Sequence, residues 1–85
     1  MKSAVHQFLS NYPGQQELIV VFYAPWFRPS VKAKEDWELR DKNGIPIVIL
    51  NADEETALVE ELKLACIPAV YRFKNGEIVE RTTGG

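Results

Sequence analysis

Apolar residues fall along this chain in short groups of different spacing, and each spacing predicts an element. Over Ser3–Asn11, Val5, Phe8 and Leu9 recur at helical intervals, and Tyr12-Pro13-Gly14 supplies a break. Leu18–Tyr23 is apolar without alternation and rich in β-branched and aromatic side chains, the pattern of a strand covered on both faces. Pro25 ends it, and Pro29 suits the first turn of a following helix, where a missing N–H costs nothing. That helix reaches about Arg40 and is thinly apolar, with Val31, Ala33, Trp37 and Leu39 among many charges, until Asn43-Gly44 stops it. Ile45–Leu50 reads as a second buried strand, with Pro46 confined to its beginning. Asp53-Glu54-Glu55 offers an N-cap and acids to the positive end of a third helix, Glu54–Leu64, whose inner stripe is Leu58, Val59 and Leu62. After Ile67-Pro68 comes a strand over Ala69–Lys74, the hairpin turn Asn75-Gly76, and a last strand over Glu77–Arg81 ahead of Gly84-Gly85.

The order is helix, strand, helix, strand, helix, hairpin. Strands separated by helices imply right-handed crossovers and a mostly parallel sheet, to which the closing hairpin adds an antiparallel edge strand. No repeat or linker interrupts the pattern, so residues 1–85 are expected to form a single α/β domain.

Composition narrows the classes of function. With 46% hydrophobic and 26% charged residues the chain matches an ordinary folded soluble domain. Its net charge of −2, with both signs interspersed, offers no basic face for nucleic acid. The longest apolar run, Leu18–Pro25, falls far short of the ~18 residues a spanning helix needs. Polar residues interrupt the first positions before a signal-peptide core could form, so no membrane association is expected. The single cysteine, Cys66, excludes an internal disulfide and points to a reducing, cytoplasmic location. His6 stands alone on a solvent-facing helix, and Asp53, Glu54 and Glu55 are adjacent rather than spaced as ligands. With no glycine-rich phosphate loop, zinc spacing or Ser-His-Asp set, neither a metal nor a cofactor is expected. Trp37, in mid-helix, reads as core.

Three stretches, in order, resemble thioredoxin. Val20-Val21-Phe22-Tyr23-Ala24-Pro25-Trp26-Phe27-Arg28-Pro29-Ser30 is similar to the family's central strand and its Trp-Cys-Gly-Pro-Cys motif. Leu50-Asn51-Ala52-Asp53 resembles the Asn-x-Asp that closes the next strand. Cys66-Ile67-Pro68-Ala69-Val70-Tyr71-Arg72-Phe73-Lys74-Asn75-Gly76-Glu77 resembles the cis-proline loop and hairpin. The resemblance implies a minimal thioredoxin-like fold: a mixed four-stranded sheet with flanking helices, lacking the family's N-terminal strand and C-terminal helix.

The departures from the family bear on chemistry. Thioredoxins attack disulfides with a thiolate at the first motif cysteine, and the second resolves the mixed disulfide. Phe27 and Ser30 stand at those positions, and an alkoxide is a poor leaving group. Val21 replaces the family's buried carboxylate and Ile49 a basic residue, losses that agree, since a buried acid without sulfur to serve costs desolvation. The resemblance therefore implies a redox-inactive module, not an enzyme, that binds a protein partner through the former active-site surface. Trp26, Phe27, Arg28, Pro29, Ser30, Ile67 and Pro68 would form that surface, with Pro68 in cis; alternatively, Phe27 folds inward as filler. The alternative function is a thiol oxidoreductase acting through Cys66 alone, against the plainer reading of an inert thiol. Without the family's last helix, one sheet face is expected to lose half its cover. That face is expected to be covered by a second copy in a symmetric homodimer, covered by a protein partner, or polar enough to stand alone.

Overall fold

The computed structural model describes residues 3–12, 17–40 and 44–83. Its elements are α1 (Ala4–Leu9), β1 (Glu17–Tyr23), α2 (Arg28–Leu39), β2 (Ile47–Asn51), α3 (Thr56–Leu62), β3 (Ala69–Lys74) and β4 (Glu77–Thr83). The breaks expected at Pro13-Gly14, Asn43 and Gly84-Gly85 lie outside the described residues. Ser3 caps α1 by accepting the His6 N–H on its hydroxyl at 3.0 Å.

The strands form one sheet in the order β2-β1-β3-β4. β1 runs parallel to β2, from Ile19 beside Ile47 to Tyr23 beside Asn51, and antiparallel to β3, with Leu18 beside Phe73 and Phe22 beside Ala69. β3 and β4 are also antiparallel. The sheet is thus mixed, with a single parallel pair, rather than mostly parallel. A crossover helix makes parallel strands only if it carries the chain back along the sheet. Here the connection through α3 returns the chain to the end of the sheet it left: Asn51 lies beside Tyr23 and Ala69 beside Phe22, so β3 runs back against β1.

Alternation along the strands divides the sheet into two faces. Leu18, Val20, Phe22, Ala69, Tyr71 and Phe73 pack with Leu58 on one face, closed by Val5, Phe8 and Leu9 of α1 and Val59 and Leu62 of α3. Phe22 meets Tyr71 edge-on at 5.9 Å, a favourable aromatic geometry. On the other face α2 packs against β1 and β2, and Val21 is fully buried. Among the described residues, no helix covers β3 and β4 on that face. A groove of about 470 Å³ runs between α2 and these strands, floored by Ile19 and Val70 and flanked by Trp37, Arg40, Arg72 and Glu80. Trp37 is therefore half-buried at a groove wall, with the Arg40 guanidinium 4.0 Å above its ring, rather than in the core. Arg72 Nη2 donates to Glu17 at 2.9 Å. That bond, then the Glu17 charge, holds the Arg72 pKa above its ordinary value.

Two other expectations are corrected. β2 is half-buried throughout because it lies at the edge of the sheet, not inside it. Asp53-Glu54-Glu55 does not cap α3: Glu55 holds the cap position without a side-chain hydrogen bond, and the helix starts at Thr56. At the hairpin, Asn75 and Gly76 have φ of 52° and 83°, the paired positive values of a two-residue type I′ turn. β4 continues to Thr83, and Val79 is the extra residue of a bulge, since Phe73 pairs with Ile78 but Arg72 with Glu80. Among the described residues, no helix is long and apolar enough to cross a membrane.

Candidate functional site

Parallel pairing ends β1 and β2 side by side at Tyr23 and Asn51, so the two following loops leave the sheet together. The Ala52 N–H donates to the Tyr23 carbonyl at 2.8 Å and ties the loops at their base. Asn51 then shapes its own loop: its side-chain oxygen accepts the Asp53 N–H at 2.9 Å, an Asx turn. Its carbonyl accepts the Glu54 and Glu55 N–H groups at 3.0 and 3.1 Å. The turn presents Asp53 to the neighbouring loop, where the Trp26 indole N–H donates to both carboxylate oxygens, at 2.9 and 3.2 Å. Trp26 is fixed at its polar edge and still 69% exposed. Sequence reasoning missed this role of Asp53. The signal was present in the parallel register, which sets the residues just beyond each strand opposite one another.

Phe27 leans on Trp26, ring centroids 5.9 Å apart at 48°, and is half-buried. It is neither core filler nor a fully exposed contact. Arg28 and Pro29 are exposed at the start of α2. Ser30 is different: it is completely buried and has no part in an exposed surface. Its Oγ accepts the Ala24 N–H at 3.0 Å and lies 2.7 Å from the Phe27 carbonyl and 3.0 Å from that of Ala24, to which it can donate. The hydroxyl locks the turn on which Trp26 and Phe27 are carried.

The third loop arrives from β3. Antiparallel pairing of Ala69 with Phe22 brings Pro68 alongside the Tyr23 end of β1, so residues 66–68 share the sheet end with the Trp26 turn. The Ile67–Pro68 peptide is cis. Ile67 is half-buried, Pro68 is largely buried and lines the groove beside Trp37, and Cys66 is exposed. Nearby, Lys34 Nζ lies 5.0 Å above the Tyr23 ring and 3.9 Å from Glu38.

Chemically this sheet end offers an aromatic pair, an exposed guanidinium and an exposed thiol. The Ser30 hydroxyl is enclosed and committed to backbone groups, so it cannot act as a nucleophile. Among the described residues, no group of His, Cys, Asp and Glu side chains is arranged to hold a metal ion.

Many solved structures share this architecture. The oxidised thioredoxin of Plasmodium falciparum superposes with a TM-score of 0.77 at 22% identity, covering 92% of this chain and 77% of that one. Fasciola hepatica thioredoxin gives 0.75 at 19% identity, with the same coverage of 92% and 77%. A yeast chain gives 0.79 at 20% identity, covering 92% and 76%; it comes from work on thiol resolution in mitochondrial 1-Cys peroxiredoxin through the glutathione and thioredoxin systems. At such identities the likeness establishes the fold alone. No curated protein matches the chain. The family is settled by sequence: the model of the family described as Thioredoxin matches residues 2–85, and the chain belongs to the thioredoxin family.

Proposed function

We propose that this chain is a thioredoxin-family binding module that carries out no dithiol–disulfide exchange and holds a protein segment against its Trp26–Phe27 surface. The observation that carries this reading is the make-up of the turn. Where the family motif places its two thiols, this chain has Phe27 and a fully buried Ser30, while Trp26 beside them is 69% exposed. Exchange needs a thiolate to attack and a second thiol to release the product. Binding needs only apolar area and a rigid support. Trp and Arg, residues that dominate binding hot spots, stand here at Trp26 and Arg28. The Asp53 carboxylate and the Ser30 hydroxyl hold the platform in place before a partner arrives, which lowers the ordering cost of association. A reducing cytoplasmic setting suits a chain whose only thiol is unpaired.

The exposed Cys66 favours one other reading, a monothiol reaction at the cis-proline loop. A dithiothreitol-coupled insulin-reduction assay separates the two. The native chain and Cys66→Ser are expected to show no turnover above the uncatalysed rate. Turnover at the level of an ordinary thioredoxin overturns the binding reading, and turnover lost in Cys66→Ser assigns the chemistry to that thiol.

A further inference from the structure

We propose that the protein segment held at the Trp26–Phe27 surface is acidic: an apolar side chain lies on the aromatic pair, and a neighbouring aspartate or glutamate pairs with Arg28. The proposal rests on the binding reading above and supplies the chemistry of the partner.

Charge around the platform is sorted by element. The cations Arg28 and Lys32 come from the start of α2, and both are exposed. The acids Asp53 and Glu54 come from the loop after β2, and the Asp53 carboxylate is already held by the Trp26 indole N–H at 2.9 Å. Further along α2, Lys34 lies over the Tyr23 ring and 3.9 Å from Glu38. Among the described residues, neither Arg28 nor Lys32 is in an ion pair.

Arg28 is placed against the interest of its own helix. It is the first residue of α2, where the aligned peptide dipoles favour an acid, and the first turn holds none. The residues one turn on are Val31 and Lys32, so its neighbour at i+4 is a like charge. Both effects weaken α2, and nothing among the described residues offsets them. A local preference broken without return marks a position held for something outside the fold. Two residues away stands Trp26, 69% exposed, with the Phe27 ring against it. A carboxylate brought to Arg28 would accept two parallel hydrogen bonds from the guanidinium and relieve its repulsion with Lys32.

A single-stranded nucleic acid is the poorer occupant. Its bases could stack on Trp26, but such strands are bound along positively charged grooves. A phosphate backbone crossing this platform would also meet Asp53 and Glu54. A short segment with one or two acids meets the cations alone.

Panning a phage-displayed library of random dodecapeptides, with acids and bases equally frequent, on the whole chain tests the proposal. Enriched peptides whose binding is lost in Trp26→Ala are expected to carry an acid beside an apolar residue. They are expected to bind Arg28→Glu about ten-fold more weakly than the native chain. Changing the peptide's acid to lysine should restore its binding to Arg28→Glu. The same variant is expected to unfold at a higher urea concentration than the native chain, because an acid at the helix start with Lys32 one turn on suits α2. Trp26-dependent peptides without an excess of acids, or bound equally by Arg28→Glu, overturn the proposal and leave the binding reading standing. A lower urea midpoint also overturns it, since Arg28 then serves the fold. So does a labelled single-stranded oligonucleotide that binds more tightly than the selected peptides. If no enriched peptide depends on Trp26, the binding reading falls and this proposal falls with it.

Discussion

A buried hydroxyl needs partners close at hand, and Ser30 has them within its own turn: the Ala24 N–H to accept, and the Phe27 or Ala24 carbonyl to receive its proton. Removing one partner of such a set leaves a buried polar group unsatisfied, a cost of about 1–3 kcal/mol. Ser30→Ala is expected to lower stability by that amount, read from the urea midpoint at unchanged slope. The loss of sulfur at positions 27 and 30 was legible in the sequence, because it depends on residue type alone. What the serine does instead was not, since an exposed contact and a buried staple have the same formula. Val21 was legible in both respects: its apolar side chain in an unbroken apolar run fits the full burial it has.

At the scale of elements, the Trp26–Asp53 bond joins the loops after β1 and β2, so each loop partly orients the other. Asp53→Ala is expected to release the indole while leaving stability within about 1 kcal/mol, because the pair is exposed. The check is the Trp26 indole N–H resonance, which should move upfield in the variant while that of Trp37 stays in place. The hairpin was the most legible element, because Asn75-Gly76 can hold the positive φ values its turn demands. Strand direction was less so. Alternating strands and helices suggest parallel pairing, but direction depends on the end at which the connection through α3 re-enters the sheet, and the ends of α3 differ from those the acids at Asp53–Glu55 imply. The edge position of β2 was hidden for a related reason. An apolar run reports how well a strand suits burial, not how many neighbours it has.

The molecule measures 33 × 31 × 18 Å, and among the described residues α2 covers one sheet face over β1 and β2 alone. Its open half combines an apolar floor with the Glu17–Arg72 ion pair, a mixture that the alternation of Val70 and Arg72 along β3 makes possible. Replacing Glu77, Glu80 and Arg81 together by threonine keeps β-propensity while removing the charge from β4. This triple variant is expected to self-associate through the uncharged β4 edge, seen as a rise in scattered light with concentration. In the native chain the same charges, together with the Val79 bulge, keep the sheet from lengthening on that side.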